Sequence, residues 1–392
     1  MNSTGLPART FTDCAAPNAA EMPLSPEFEM PQQRDKKRIV FHIGLEKTGT
    51  TSFQRFCTEH RAVLLRHGVL YPTGSLAYAR TSRNHKPLAA CYFAGHPRDF
   101  DFHFPRRGRS AILRSLRREI DRSPAPAVLV SAEHFSSRFR EDEIGRLASD
   151  FSSYECQIAV VLREHAARIC SAYSTTVAAG RHLTLDEYID ELASPDNRYT
   201  RYKDTLAPWE QIFGRQNIRI FTYGNGDNVI DLLVKQLVSP RIAVPAAASY
   251  ADHESPGACV TEALRLVSKE ISSRYHNGGT AQSYLGHLLA RHAHNSIRRS
   301  LMRIAHGADD ARLRLSEANL HRLKVLIDID RKWLDDRYGV RLPDTPMQND
   351  RPAADGESVE HGAADLLSRA VLEQNNWVRW TRLFGRGRDD SR

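Results

Sequence analysis

The hydrophobic residues of the chain follow two spacings, one typical of buried strands and one typical of amphipathic helices. Short apolar runs predict strands at 39–43, 127–131, 156–163 and 217–223. Apolar residues that recur three or four positions apart predict helices at 49–66, 109–122, 164–180 and 228–238. The repeated strand–helix order predicts an α/β fold, a three-layer sandwich with a central parallel sheet, and a ligand at the carboxyl ends of its strands.

Helical spacing continues towards the C-terminus without further strands. Thr184 and Glu187 have the spacing of a capping box, which predicts the start of a helix. Beyond residue 240, two longer patterns each place apolar residues on one helix face: Val260, Leu264, Val267 and Ile271, then Leu320, Leu323, Ile327 and Leu334. The C-terminal part of the fold is therefore expected to be helical.

Local composition predicts the domain boundaries. Residues 1–37 are rich in Pro, Ser, Asn and charge, which predicts a disordered leader. Residues 38–343 are interpreted as one domain, and 344–392 as a linker (345–364) followed by a candidate basic amphipathic helix with two tryptophans.

Overall charge and composition narrow the class of protein. The 392 residues carry 55 Lys and Arg against 47 Asp and Glu, a formal net charge of +8 that favours anionic ligands in general. The six cysteines show no C-x-x-C spacing, so neither a zinc site nor a disulfide framework is predicted. With no long apolar run and no signal-peptide pattern, we expect a cytoplasmic protein without a transmembrane segment.

The stretch IVFHIGLEKTGTTSFQ, residues 39–54, carries the first candidate chemistry. A strand that runs through a glycine loop with a lysine into a helix presents backbone N–H groups and a helix N-terminus to an anion. Lys47 lies two residues before Gly49, whereas the nucleotide P-loop pattern G-x-x-x-x-G-K-[ST] places its lysine after the glycine. This order predicts an anion other than a triphosphate, bound by Lys47, by the N–H groups from Thr48 to Ser52 and by the Thr50 and Thr51 hydroxyl groups.

A second strand–helix junction has residues suited to another phosphate. Arg163 ends the strand at 156–163, and Ser171 follows two turns into the next helix. A guanidinium fork and a hydroxyl group are a plausible phosphate clamp.

The two junctions together resemble the sulfotransferases that use 3′-phosphoadenylyl sulfate (PAPS). HIGLEKTGTTSFQ is similar to the family's 5′-phosphosulfate loop, and VVLREHAARICSAYSTTVAAG to its 3′-phosphate segment; the resemblance covers residues 38–343. It implies a P-loop-like fold, PAPS as co-substrate, no metal, and transfer of a sulfuryl group to a hydroxyl group or an amine. It also implies that the 5′-phosphosulfate is held by Lys47, Thr48, Gly49, Thr50 and Thr51, and the 3′-phosphate by Arg163 and Ser171.

A general base must take the acceptor's proton. The family places a His or Glu after the first helix or at the end of the next central strand. Glu133 suits the second location and His85 the first, and we favour Glu133 over His85, with His134 third.

The resemblance implies a carbohydrate or other small-molecule acceptor and no specific nucleic acid. Aromatic residues in loop 72–108, together with the helical region 255–310, are predicted to form the acceptor walls. Two alternatives stay open at this point: a magnesium-dependent kinase with a deviant P-loop, and a non-catalytic protein that binds a nucleotide or another polyanion.

Overall fold

The computed structural model describes residues 36–73, 83–93, 106–194, 197–222, 224, 228–244, 255–275, 294–304, 312–343 and 356–373. Almost all of the predicted leader and the tryptophan-containing tail therefore lie outside the described residues. The same holds for most of the aromatic loop and for much of the helical region predicted to form the acceptor walls.

Five parallel strands form the central sheet, in the order β2-β3-β1-β4-β5. They are β1 (Arg38–His42), β2 (Val69–Leu70), β3 (Ala127–Ser131), β4 (Glu155–Leu162) and β5 (Ile218–Thr222). The four strands that the sequence predicts are confirmed, and so is the parallel α/β architecture. The edge strand β2 has two residues, too few for an alternating pattern to indicate it.

Helices precede and follow the strands. The first ten are α1 (Thr50–Glu59), α2 (Arg61–Arg66), α3 (Lys86–Tyr92), α4 (Arg106–Arg122), α5 (His134–Arg138), α6 (Glu141–Asp150), α7 (His165–Ala178), α8 (Leu185–Ala193), α9 (Tyr202–Phe213) and α10 (Val229–Leu237). The C-terminal part contains α11 (Ala258–Tyr275), α12 (294–304), α13 (Glu317–Tyr338) and α14 (Gly356–Glu373). The predicted capping box is present at the start of α8, where the Thr184 hydroxyl accepts a hydrogen bond from the Glu187 N–H at 3.2 Å.

Alternate side chains of each strand pack on opposite faces of the sheet, as the pleat requires. In β1, Ile39 and Phe41 join a core cluster with α3, α4, α6 and α9, whereas Val40 joins a cluster with α1, α2 and α10. The Phe41 ring is fully buried, with edge-to-face contacts to Phe135 and Phe151. Truncating such a side chain to alanine typically costs about 3–5 kcal/mol. The sheet thus has helices on both faces, and a third cluster joins α7 and α8 to the C-terminal helices.

Three segments differ from the prediction. The helix predicted at 49–66 is divided at His60, whose φ of −112° and ψ of 23° lie outside the helical region. A short helix, α3, lies within the segment interpreted as loop-rich. Helix α14 begins at Gly356, inside the segment interpreted as linker, because Ala363 and Leu366 are buried in the cluster that includes α11.

Candidate functional site

The space beyond the carboxyl ends of β1 and β3, named the crevice below, lies where the helices that follow these strands part. Helix α1, which follows β1, packs on one face through Phe53 and Phe56, whereas α5 and α6, which follow β3, pack on the other through Phe135 and Ile144. Adjacent parallel strands whose following helices diverge in this way define a topological switch point, where open α/β sheets bind ligands. The predicted site residues that follow β1 and β3 lie at this crevice.

The β1–α1 loop, residues 43–49, has a backbone that is bent sharply at two positions. Lys47 has a φ of 68° and Gly49 a φ of 75°. For a residue such as Lys47, the left-handed conformation is less stable than the right-handed one by roughly 1–2 kcal/mol. Contacts around the loop must offset this cost. A non-glycine residue held in this conformation is a feature often found where backbone binds a ligand.

Two buried threonines stabilise the loop from within. The Thr48 hydroxyl donates to the Leu45 carbonyl at 2.7 Å, and the Thr50 hydroxyl donates to the same carbonyl at 3.2 Å. Each hydroxyl has a single proton to donate. In this conformation the Thr50 hydroxyl therefore donates within the loop and not to an anion.

The N-terminus of α1 lies at the crevice, and no acidic residue of its own first turn compensates its positive end. Gly49 is the N-cap residue, and the first turn, Thr50 to Phe53, contains no acidic residue. The first intrahelical bond runs from the Phe53 N–H to the Gly49 carbonyl at 3.2 Å. A helix N-terminus with this dipole is suited to the anion that the sequence predicts here.

Lys47 adds a partly desolvated ammonium group to this helix end. Burial lowers the pKa of Lys47, and this effect exceeds the opposing effect of the neighbouring Glu133 and Glu46 carboxylates, which raise the pKa. A cation that has already lost part of its hydration loses less on contact with an anion, so the arrangement favours anion binding.

Glu133 lies two residues after β3, at the N-cap of α5, on the other side of the crevice. Burial, and then the charge of Glu46, raises the pKa of Glu133 to about 7, against the opposing effect of Lys47. The Thr51 hydroxyl lies 3.4 Å from Glu133 Oε1. A carboxylate with a pKa near neutrality, beside a lysine at a ligand crevice, is suited to accept a proton.

His85 is bound by backbone groups at both ring nitrogens. The Ser131 N–H donates to Nδ1 at 3.0 Å, so the neutral ring carries its proton on Nε2, which lies 3.0 Å from the Pro72 carbonyl. Burial lowers the pKa of His85 to about 4. The imidazole thus connects the segment after β2 to the end of β3 and has no nitrogen directed at the crevice. His134, the third candidate base, is the first residue of α5 and is partly buried.

A network of buried polar side chains connects the strands and the helix that border the crevice. Ser131 Oγ lies 2.8 Å from His42 Nδ1 and accepts a hydrogen bond from Gln54 Nε2 at 3.0 Å. Burial lowers the pKa of His42 to about 3, which keeps the ring neutral. These contacts connect β1, β3 and α1, so His42 has a structural role.

Arg163, at the second predicted strand–helix junction, contacts the loop of the first. It follows β4, which pairs with β1 in parallel register, and its Nη1 lies 3.4 Å from the Lys47 carbonyl oxygen. The backbone of Arg163 is held in turn by the Tyr202 hydroxyl, which donates to the Arg163 carbonyl at 2.6 Å. The two motifs, far apart in sequence, are therefore in contact.

Ser171 lies deeper in α7 and has a partner that the sequence does not indicate. Its hydroxyl oxygen lies 2.6 Å from that of Ser255, which precedes α11. Ser171 is 9% exposed, so little of its surface is open to solvent. The one signal of Ser255 in the sequence is its place in Ser-Pro-Gly before a helix, which is typical of many helix starts.

Among the described residues, no group of three or more His, Cys, Asp or Glu side chains is placed to hold a metal ion. Within the same part of the chain, none of the helices is both long and apolar enough to cross a membrane. Comparison of the chain with models of protein families, with curated proteins and with solved structures finds no match.

Proposed function

We propose that this chain is a PAPS-dependent sulfotransferase with a P-loop-like fold. Its acceptor would be a carbohydrate or another small molecule with a hydroxyl group or an amine. The observation that carries the proposal is the contact between Arg163 and the Lys47 carbonyl, at 3.4 Å. A donor with phosphate groups at both ends of its ribose, as in PAPS, needs two anion sites close together, and each motif supplies one.

In this proposal the β1–α1 loop holds the phosphosulfate. The acceptor oxygen or nitrogen attacks the sulfur atom in line, the new bond to sulfur forms, and the bond between sulfur and the bridging phosphate oxygen breaks. Negative charge then grows on the phosphate that leaves. The Lys47 ammonium and the N-terminus of α1 stabilise this charge more strongly in the transition state than in the ground state.

Glu133 takes the proton that the acceptor loses. Its position beside Thr51, at 3.4 Å, and across the crevice from Lys47 supports this assignment. The bonding of both His85 nitrogens to backbone groups supports Glu133 over His85. A well-placed base contributes about 10²–10⁴ in rate.

Calorimetric titration with adenosine 3′,5′-bisphosphate and with ATP, each with and without magnesium, tests the proposal. We expect the bisphosphate to bind without metal and to lose affinity in Lys47→Ala, whereas Lys235→Ala, a change at an exposed lysine of α10, should bind as wild type does. Preference for ATP with magnesium would support a kinase instead. Binding of the bisphosphate without any transfer from labelled PAPS, across a panel of acceptors, would support a non-catalytic binding protein.

A further inference from the structure

Two arginines of the segment after β4 contact consecutive carbonyl groups of the β1–α1 loop. Arg163 Nη1 lies 3.4 Å from the Lys47 carbonyl oxygen, and Arg168 Nε donates to the Glu46 carbonyl at 3.3 Å. These two carbonyl groups flank the backbone bend at Lys47, where φ is 68°. The guanidinium groups therefore hold the peptide units whose orientation sets the direction of the following N–H groups.

Arg168 is itself held rigidly. Its side chain is buried, with its guanidinium 4.2 Å from the centre of the Tyr199 ring and 5.2 Å from that of Tyr202. Its Nη1 donates to the Tyr199 carbonyl. Tyr202 is fixed at its hydroxyl by the Arg163 carbonyl and at its backbone N–H by Asp330 Oδ2, both at 2.6 Å.

Burial of this charge calls for an explanation beyond packing. A buried cation is unfavourable unless hydrogen bonds and neighbouring charges compensate for its lost hydration. Arg168 achieves this through backbone carbonyl groups and aromatic faces, with the charge of Glu46 nearby. An apolar residue would fill the same volume without that requirement, but it would leave the Glu46 carbonyl without its donor.

We propose that Arg168 is a positioning residue of the β1–α1 loop. It fixes the Glu46 carbonyl, and through it the backbone bend at Lys47, so that the ammonium group and the first N–H groups of α1 converge on one anion. Arg168 acts through the loop and does not touch the ligand. The identity of that anion rests on the proposed function, whereas the effect on the loop does not.

The test combines one measurement without ligand and one with it. Hydrogen–deuterium exchange of ligand-free Arg168→Lys, which keeps the charge but loses the guanidinium fork, should be about tenfold faster than wild type in peptides covering 44–52. Peptides from β3 and β4 should exchange at wild-type rates. The dissociation constant of adenosine 3′,5′-bisphosphate should rise by about tenfold as well.

Arg117→Lys is the matched control. Arg117 also bonds a backbone carbonyl, that of Asp150, and lies over an aromatic ring, 5.8 Å from the centre of Phe151, but it belongs to α4. It should change neither loop exchange nor binding. If Arg168→Lys fails to fold, Tyr199→Leu removes one stacking face while Arg168 stays, and a smaller increase in loop exchange is expected.

The proposal would be overturned if residues 44–52 exchanged at the wild-type rate in a folded Arg168→Lys. If that variant fails to fold, a wild-type rate in Tyr199→Leu would overturn it. Faster loop exchange in a protein whose wild type binds no bisphosphate would instead overturn the proposed function alone and leave the positioning role intact. An equal increase of exchange throughout the sheet would assign Arg168 to general stability and would also reject the proposal.

Discussion

The backbone N–H of Ser131 donates a hydrogen bond to Nδ1 of His85 over 3.0 Å. The bond joins the last residue of β3 to the residue that precedes α3, and it determines which ring nitrogen carries the proton. A proton added to Nδ1 would break this bond inside the protein. The sequence makes His85 a candidate base because of its position in a loop, whereas its contacts are those of a structural histidine.

We expect His85→Ala to lower the free energy of unfolding by about 1–3 kcal/mol, because it leaves the Ser131 N–H and the Pro72 carbonyl buried without their partner. The folded variant should keep sulfate transfer. Urea unfolding and a transfer assay with labelled PAPS measure the two effects, with His67→Ala, a change at an exposed position, as control. Native stability combined with abolished transfer would return His85 to the role of base.

Transfer should require ionised Glu133 and so increase with pH through about 7, the value to which burial and Glu46 raise the pKa of this carboxyl. Glu133→Gln should reduce turnover by about 10²–10⁴-fold. Glu46→Gln removes a like charge, so it should shift the acidic limb of the pH profile to lower pH. An unchanged limb in that variant would show that Glu133 is not the group that titrates.

The Glu133 carboxyl should also make stability depend on pH. Stability should decrease as the pH rises, whereas transfer should increase. The pKa of Glu133 is higher in the folded chain, about 7, than the ordinary value of 4.5, so the folded state binds more protons between these values. The free energy of unfolding contributed by this group is therefore greatest below pH 4.5 and decreases as the pH rises to about 7. Urea unfolding of wild type and Glu133→Gln across this range should show a smaller decrease in the variant; identical slopes would contradict the assignment.

Gly49→Ala should destabilise the fold by about 1–3 kcal/mol, since a methyl group there overlaps Val229 and the residue has a positive φ of 75°. Combined with Val229→Ala, the loss should be smaller than the sum of the two single losses, because the overlap is relieved. Gly145→Ala in α6 is the matched control: its methyl group would meet nothing within 4 Å, and it should stabilise the helix by about 0.5–1 kcal/mol. Denaturant unfolding of the four variants measures these differences, and strict additivity would exclude the overlap.

Arg163→Ala should weaken adenosine 3′,5′-bisphosphate binding far more than adenosine 5′-phosphate binding, because the second ligand lacks the 3′-phosphate that Arg163 is proposed to hold. Calorimetry of both ligands tests this, with Arg146→Ala as control. Arg146 is bound to the Tyr92 carbonyl at 2.7 Å, in α6. Equal losses for the two ligands would remove Arg163 from the 3′-phosphate site and leave it with its loop contact alone.

Local patterns predict the parts of this fold that local forces determine. The apolar runs of β1, β3, β4 and β5 and the capping box at Thr184 are recognisable within a few residues of sequence. Parallel pairing then brings the ends of β1, β3 and β4 to one edge, which is why Lys47, Glu133 and Arg163 could be expected together.

Other features depend on contacts between distant segments. The Ser171 and Ser255 hydroxyl groups meet because α7 and α11 pack together. The contact between the Arg168 guanidinium and the Tyr202 ring requires α9 to place Tyr202 next to Arg168. The sequence predicts a linker over the first part of α14 because residues 345–364 are polar and contain Pro and Gly, whereas Ala363 and Leu366 pack in the cluster that includes α11. No window of sequence shows these pairings, since each depends on the arrangement of whole helices.

The central place of β1 also has a consequence for the order of folding. Both of its neighbours come later in the chain: Ile39 pairs with Val128 on one side and with Cys156 on the other. During synthesis β1 has neither of these neighbours to pair with until Ala127–Ser131 has left the ribosome. Pairings between such distant segments close slowly. The β1–α1 loop is thus encoded first among the site's parts, whereas its contact with Arg163 can form only after β4 has been made.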